Sequence, residues 1–291
     1  TSNSVVSEGI FEIDLLDNLW EHTPATSFNL DTKKISIGES FWFIGSNDKK
    51  VHAWYYPPLN SHIQPPPLLV KSHSGPTGMA RCGLDLEVQF WTSRGWAVVD
   101  VNYGGSTGFG REYRERLRGE WGVVDVHDCA KAAKELIASG KANKDRIAII
   151  GSSASGFTAL GCLLSTDIFN IGACKYAVTD LLSMANSTHR FEEFYLDYLI
   201  CNIETDFINY KTRSPINNVN KINVPLILFH GLKDKVVSFE DSTSIKNELL
   251  KREIPVEIHL FEKEGHGFKD GQVKVQVLKD TESFFRKHLN N

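Results

Sequence analysis

The fold class follows from the stretch RIAIIGSSASGFTALGCLLS (residues 146–165). Its beginning, RIAIIG (146–151), is a short apolar run that predicts a buried strand. Its end, GFTALGCLLS (156–165), consists of small and apolar residues and predicts a helix packed on that strand. A strand that passes so quickly into a helix predicts a βα unit, the building block of a parallel sheet.

The same alternation of strand and helix extends over most of the chain. Residues 35–56 alternate apolar and polar side chains around the turn GSNDKK, which predicts an antiparallel hairpin. Beyond it, strands are predicted at 68–73, 96–105, 146–151, 172–178, 224–231 and 255–265, and helices at 84–95, 123–139, 156–165, 238–252 and 273–289. We therefore expect an α/β fold with a mostly parallel, doubly wound sheet and helices on both of its faces.

The N-terminal residues are organised differently from the rest. Residues 1–34 are less regular and contain the segment LLDNLWEHTP. We expect them to form an arm packed on a main domain that comprises residues 35–291. The sequence shows no internal repeat and no low-complexity linker between these two parts.

The turn after the strand 146–151 contains three serines in the pattern G-x-S-x-S, which begins at Gly151. In α/β-hydrolases a G-x-S-x-G turn between strand and helix places a strained nucleophilic serine above the sheet. Ser153 fits this frame, Ser152 occupies its variable position, and Ser155 stands where glycine is usual. Ser153 is therefore the candidate nucleophile, and the alternative is a helix start with no chemistry.

Two further candidates follow later strands. Ligands of open α/β sheets bind beyond the carboxyl ends of the strands, so residues at those ends are the informative ones. Asp234, in HGLKDKVV, can orient a histidine ring and stabilise its cation, although a surface turn aspartate is the plain alternative. Asp241 is a rival that we assign to the first turn of the next helix. His266, between two glycines in EGHGF, is the candidate base, against the alternative of an ordinary loop histidine.

Together these residues carry more weight than any of them alone. The order Ser153, Asp234, His266 along the chain is that of the α/β-hydrolase triad and differs from the orders in chymotrypsin and subtilisin. Because each residue also follows a predicted strand, we predict a catalytic triad at the carboxyl edge of the sheet.

A triad of this kind works with an oxyanion hole made of backbone N–H groups. One donor is the residue after the nucleophile, here Ala154, and the other comes from the loop HSGPTG (73–78). Within that loop Ser74 and Gly75 are the candidate donors, and His73 beside them is a candidate substrate-binding residue. The alternative is a plain turn without a catalytic role.

The composition argues against several other classes of protein. With a net charge of −4 and a pI of about 6.2, the chain does not have the basic character of a nucleic-acid-binding protein. Its five cysteines include no C-x-x-C pair, so we expect no metal site, and the triad needs no cofactor. No apolar run reaches the ~18 residues of a membrane span, and no signal peptide is visible. Scattered cysteines favour a reducing compartment, so we expect a cytoplasmic location.

Ordered motifs over most of the chain point to a family. They are HSGPTG, VDVNYGGSTGFGREYRE, WGVVDVHDC, GSSASGFTAL, FEEFYLD, RSPI, HGLKDKVV and EGHGF. From about Glu39 to the C-terminus, the chain resembles the catalytic domain of the prolyl oligopeptidase family of serine peptidases. Within that family it is most similar to the acylaminoacyl-peptidase and dipeptidyl-peptidase branches.

The resemblance implies an α/β-hydrolase fold and an acyl-enzyme mechanism. Position by position, Ser153, Asp234 and His266 fall on the family's nucleophile, acid and base. Phe191 and Tyr195 lie where family members line the pocket for the residue before the scissile bond. Their i, i+4 spacing fits core aromatics on a helix equally well.

The chain also departs from the family pattern. Serines at positions 74, 152 and 155 replace motif glycines, and position 155 matters most for the tightness of the turn. Full-length members carry a β-propeller ahead of the catalytic domain. These 291 residues have no room for one, so we expect either an excised catalytic domain or a naturally short relative. Their N-terminal arms often pair subunits, so a homo-oligomer is one expectation.

Three functions are compatible with these observations. We predict a serine peptidase that hydrolyses short peptides or acyl-peptides. A carboxylesterase acting on small acyl esters would use the same apparatus. An inactive interaction domain is the third alternative, and the serines in place of motif glycines are its only support.

Overall fold

A computed structural model describes residues 3–26, 30–61, 63–187 and 194–289. The strands in these ranges are β1 (Gly9–Asp14), β2 (Leu19–Pro24), β3 (Glu39–Ile44), β4 (Lys50–Tyr56), β5 (Leu68–Ser72), β6 (Ala97–Asn102), β7 (Ile147–Ser152), β8 (Ile171–Lys175), β9 (Leu226–Gly231) and β10 (Val256–Phe261). The helices are α1 (Leu86–Thr92), α2 (Arg111–Glu115), α3 (Val124–Ala138), α4 (Ala154–Ser165), α5 (Leu181–Ser187), α6 (Tyr195–Leu199), α7 (Phe207–Arg213), α8 (Phe239–Lys251) and α9 (Gly271–His288).

One central sheet holds eight strands in the order β10-β9-β8-β7-β5-β6-β4-β3. Strands β5 to β10 pair in parallel, and β3 and β4 add an antiparallel hairpin at the end of the sheet. Because β5 lies between β6 and β7, the sheet grows in both directions from it. The predicted mostly parallel, doubly wound sheet is therefore confirmed.

Helices cover both faces of this sheet, because successive strand residues point to opposite sides. On β6, Val99 packs in the core that α3, α4 and α8 cover, whereas its neighbour Val98 packs in the core under α1 and α9. The large buried rings of Trp91 and Phe285 fill this second core. The cores fix the strand positions, and the parallel strands bring the loops after β5, β7, β9 and β10 to one edge.

Strands β1 and β2 lie within the predicted arm and form a separate two-stranded hairpin. Several of its large apolar side chains are in solvent, including Leu16, which is 95% exposed, and Trp20, which is 67% exposed. Near its start, Ser4 Oγ lies 3.1 Å from Cys82 Sγ of the main body. The hairpin thus presents apolar surface to water.

Three properties of the described residues bear on the class of protein. None of their helices is both long enough and apolar enough to cross a membrane. The five cysteines, which all lie in the described ranges, are free thiols. Across the same ranges, no three His, Cys, Asp or Glu side chains are grouped so that they could hold a metal ion.

Candidate active site

Ser153 lies on the sharp turn between β7 and α4. Its backbone has φ 52° and ψ −120°, in the positive-φ region that residues with a side chain rarely adopt. Gly151 makes this turn possible, since a side chain there would overlap the carbonyl group of Ser155. The strained backbone is that of a nucleophile elbow, which exposes a hydroxyl at the end of a central strand.

Ser155, the departure from the usual glycine, is accommodated inside the turn. Its buried Oγ accepts a hydrogen bond from the Ser152 amide at 2.8 Å and donates one to the Ser152 carbonyl oxygen at 3.0 Å. The hydroxyl therefore tightens the turn that carries Ser153. The close approach of α4 to its neighbour occurs one residue later, at Gly156, where a side chain would overlap that of Ala177. A serine at position 155 is thus compatible with the elbow.

Ser153, His266 and Asp234 form a continuous chain of hydrogen bonds. Ser153 Oγ lies 2.8 Å from His266 Nε2, and His266 Nδ1 lies 2.9 Å from Asp234 Oδ2. Since an ionised carboxylate can only accept, Nδ1 carries a proton, and Nε2 of the neutral ring can accept the proton of Ser153. The Asp234 side chain is fully buried, whereas that of His266 is 24% exposed. The three side chains predicted from separate strand ends therefore meet.

The Asp234 carboxylate accepts hydrogen bonds from four donors. Oδ2 accepts from His266 and also lies 3.2 Å from His230 Nε2. Oδ1 accepts from the amides of Val236 and Val237, at 2.8 and 3.0 Å. Burial acts to raise the pKa of Asp234, but the hydrogen bonds from His230, His266 and the two amides outweigh it and hold the pKa well below its usual range. The carboxylate is thus fixed in position and ionised.

His230 is a site residue that the sequence reasoning missed. It lies near the end of β9 with its ring fully buried. Its Nδ1 lies 2.8 Å from Ser242 Oγ, and its Nε2 lies 3.1 Å from the Val237 carbonyl oxygen. Because that carbonyl can only accept, Nε2 carries the proton and also faces Asp234. The available signal was a histidine inside the apolar strand VPLILFHG, where it needs a buried partner.

The rival carboxylate, Asp241, lies in the first turn of α8, as predicted. Its Oδ2 accepts a hydrogen bond from Thr179 Oγ1 at 2.8 Å. Burial raises the pKa of Asp241, in contrast to Asp234. The loop after β9 therefore presents Asp234, and not Asp241, to His266.

A glycine and a buried carboxylate stabilise the loop that carries His266. Gly267 has φ +88°, a conformation that favours glycine, and allows the loop to turn sharply after His266. The carboxylate of Glu264, which is buried, accepts hydrogen bonds from the amides of Lys269 and Asp270 at 2.8 and 3.0 Å. Glu264 was not singled out from the sequence, and it ties both ends of the His266 loop together.

The loop after β5 approaches the elbow from the other side. Ser74 Oγ donates a hydrogen bond to the Ser152 carbonyl oxygen at 3.1 Å, and Gly75 has φ +77°. His73 is buried beneath this loop, with Nδ1 3.0 Å from the Gly75 oxygen and Nε2 2.7 Å from Ser106 Oγ. Burial lowers the pKa of His73 to about 4, so the neutral ring donates from Nδ1 to Gly75 and accepts from Ser106. His73 therefore positions the loop, and both of its ring nitrogens are engaged inside the protein.

The predicted substrate-pocket residues are described only in part. Tyr195 lies at the start of α6, and its Oη is 2.8 Å from Thr77 Oγ1 in the loop after β5. Phe191 lies outside the described residues. Tyr195 is thus next to the candidate oxyanion loop.

Helix α4 is also held by a buried carboxylate on α3. Asp125 Oδ2 accepts from Thr158 Oγ1 at 2.5 Å, and Oδ1 accepts from the Gly122 amide at 2.6 Å. Burial raises the pKa of Asp125 to about 6, and these two hydrogen bonds only partly offset it. Helix α4 is therefore hydrogen-bonded to a buried carboxyl group whose pKa is raised.

A strained serine at a strand–helix turn, with an aspartate and a histidine on loops after later parallel strands, defines the class of α/β-hydrolases. Within that class, the sequence model of the prolyl oligopeptidase family of peptidases matches residues 83–291. The chain therefore belongs to the prolyl oligopeptidase family, which confirms the resemblance seen in its motifs.

Named relatives agree with this assignment. The chain is 30% identical over 210 residues to dipeptidyl aminopeptidase BIII of Pseudoxanthomonas mexicana, a match that covers 70% of this chain. It is 26% identical over 230 residues, 76% of this chain, to an acylamino-acid-releasing enzyme of Arabidopsis thaliana. Among solved structures, a puromycin-hydrolyzing peptidase of Mycobacterium tuberculosis superposes on 99% of this chain with a TM-score of 0.95 and 35% sequence identity.

These relatives are considerably longer than this chain. It spans 30% of the length of both curated relatives and 45% of the solved chain. Each match thus concerns most of this chain and less than half of the relative.

Proposed function

We propose that this protein is a serine peptidase that hydrolyses short peptides or acyl-peptides through an acyl-enzyme. The observation that carries the proposal is the hydrogen-bond chain from Ser153 Oγ through His266 to Asp234. Ser153 is the nucleophile, His266 the general base and acid, and Asp234 the group that orients and stabilises the imidazolium. The relatives named as peptidases support the same reaction class.

Acylation begins when His266 Nε2 takes the proton of Ser153 as Oγ bonds to the carbonyl carbon of the substrate. The tetrahedral intermediate collapses when its C–N bond breaks and the leaving amine receives that proton from His266. Water then gives a proton to His266 and attacks the acyl-enzyme, and the acid product leaves as Ser153 regains its proton. The cycle requires neither a metal nor an organic cofactor.

The developing oxyanion needs donors next to Ser153. We assign the amide of Ala154, which begins α4, as one donor, because the first amides of a helix have no partner within it. The second donor is an amide of the loop after β5, at Ser74 or Gly75. Two hydrogen bonds support this assignment because they fix the loop next to the elbow. Ser74 Oγ donates to the Ser152 carbonyl oxygen, and His73 beneath the loop bonds to the Gly75 carbonyl oxygen.

The substrate pocket is assigned to the side covered by α6. We assign Tyr195 and Phe191 to the lining around the residue before the scissile bond. For Tyr195 the support is its hydrogen bond to Thr77, which puts it beside the oxyanion loop.

We further assign the protein to the cytoplasm, because its five cysteines are free thiols and a reducing compartment keeps them so.

Labelling with a fluorophosphonate probe tests the nucleophile. We expect the wild type and the control variant Ser165→Ala, at the exposed end of α4, to be labelled, and Ser153→Ala to remain unlabelled. Absence of labelling in a folded wild type would contradict an active site and favour an interaction domain. Turnover of a peptide and of a matched acyl ester by the same preparation then separates a peptidase from a carboxylesterase.

A further inference from the structure

A cavity of about 450 Å³ lies beside the His266 loop, between the starts of α1 and α9. This volume is in the ~300–1,000 Å³ range of small-ligand pockets. Tyr176, directly after β8, forms part of its wall. The ring of Tyr176 also contacts the ring of His266 edge to face, with centroids 5.1 Å apart. A single aromatic side chain therefore separates the cavity from the proposed base.

The backbone around Tyr176 is built into the elbow itself. Tyr176 has φ 38°, a strained conformation for a bulky residue. On either side of it, the Lys175 carbonyl accepts from the Ser153 amide at 3.1 Å, and the Val178 amide donates to the Ser153 carbonyl at 3.2 Å. The wall of the cavity and the nucleophile are thus parts of one hydrogen-bonded unit.

The lining of the cavity is apolar with a surplus of positive charge. Phe268 lies against Tyr176, and the partly exposed Leu86 lies at the mouth. Lys175 Nζ pairs with Glu87 at 2.9 Å, so those two charges cancel. Lys274, on the first turn of α9, forms no ion pair with any of the described residues. The cavity therefore fits an apolar group that carries one carboxylate.

We propose that this cavity binds the residue on the leaving-group side of the scissile bond, recognised as an apolar side chain with a free C-terminal carboxylate. The inference rests on the proposed function, because the leaving amine must receive its proton from His266 Nε2 and so departs next to that ring. Tyr176 guides the leaving residue past His266, and Lys274 binds its carboxylate. The favoured substrates are then short peptides cleaved close to an apolar C-terminus.

The test compares alanyl-alanyl-leucine with alanyl-alanyl-leucinamide, which differ only in the terminal charge. The measured quantity is the ratio of kcat/KM for release of leucine and of leucinamide. In the wild type we expect this ratio to be about five, as for an ion pair near the surface. It falls to about one in Lys274→Gln and below one in Lys274→Glu. The control Lys279→Gln, an exposed lysine on the same helix that does not line the cavity, keeps the wild-type ratio.

A ratio near one in the wild type, or the same fall in Lys279→Gln as in Lys274→Gln, overturns the proposal.

A second measurement does not depend on turnover. NMR follows the binding of leucine and of leucinamide to Ser153→Ala. We expect leucine to bind more tightly than leucinamide, and the difference to vanish when Lys274→Gln is added. If no peptide is cleaved and no probe labels Ser153, the proposed function fails, and this binding measurement still decides whether the cavity recognises a carboxylate. Equal binding of both compounds overturns the proposal.

Discussion

The Nε2 atom of His230 lies 3.2 Å from Asp234 Oδ2, the oxygen that also accepts a hydrogen bond from His266 at 2.9 Å. Two imidazole rings, one fully buried and one belonging to the proposed catalytic base, therefore face one acceptor atom. The buried ring cannot reach a substrate, so it acts through Asp234. It holds the carboxylate in the orientation that His266 requires and keeps it ionised.

Replacing the buried ring tests this role. His230→Phe conserves most of the ring volume but removes the donor to Asp234. We expect kcat/KM to fall about tenfold with KM little changed, because the loss concerns the orientation of His266 in the transition state. The control Ser242→Ala, which removes only the outer partner of His230, causes a smaller fall. A His230→Phe enzyme with wild-type kcat would contradict the role.

Asp234→Asn removes the charge and keeps the shape. An amide NH₂ group facing Nδ1 favours the wrong tautomer of His266, so we expect kcat to fall about 10³–10⁴-fold while the fold is retained.

The same substitution also changes how stability depends on pH. The lowered pKa of Asp234 contributes stability above the unfolded pKa of ~3.9, and that contribution is lost as pH falls further. Thermal unfolding between pH 2 and 5 should therefore show that Asp234→Asn loses less stability on acidification than the wild type does.

Ser155→Gly restores the residue usual at the elbow. Because the Ser155 hydroxyl bonds only to the backbone of Ser152, we expect kcat to stay within about threefold of the wild type. The free energy of unfolding should fall by about 1–2 kcal/mol, from two lost hydrogen bonds and a glycine inside a helix. Denaturant unfolding and steady-state kinetics measure the two quantities. A drop in kcat of a hundredfold in a folded variant would show that this hydroxyl participates in catalysis.

Asp125→Asn tests the carboxyl group beneath α4. The folded pKa of about 6 lies above the unfolded value of ~3.9, so in the wild type the ionised form is disfavoured and stability falls as pH rises from about 4 to 6. Asparagine has no such titration and can still bond to Thr158. As the pH rises through this range, we expect the free energy of unfolding of the variant to increase relative to that of the wild type by at most about 3 kcal/mol. A difference that stays constant from pH 4 to 7 would contradict this assignment.

The residues that could be predicted from the sequence are those with a complete local signal. Ser153, Asp234 and His266 each follow an apolar strand and have a glycine nearby, and the parallel sheet then brings the three strand ends together. The two antiparallel strands at the end of the sheet were recognised for the same reason, from period-two alternation and a turn.

The residues that were missed give no sign in the sequence of which groups they contact, even where those groups are near in the chain, as the partners of His230 are. A histidine inside a strand, such as His230, has the same local pattern whether it bonds to a hydroxyl, a carbonyl or a catalytic carboxylate. Tyr176 was included in a predicted strand, 172–178, although β8 ends at Lys175. Nothing in its sequence context indicates a positive φ. The Tyr176 amide bonds to the Phe229 carbonyl on β9, and its neighbours Lys175 and Val178 bond to Ser153 in the elbow.

The solvent-exposed hairpin of β1 and β2 affects how copies of this protein associate in concentrated solution. A two-stranded ribbon is only marginally stable in water, and its free edges offer N–H and C=O groups to any extended chain that arrives. With Leu16 and Trp20 beside those edges, each encounter there also removes apolar surface from water. We therefore expect turbidity at high concentration to arise from this ribbon, while the eight-stranded sheet stays intact and its amides remain protected from deuterium.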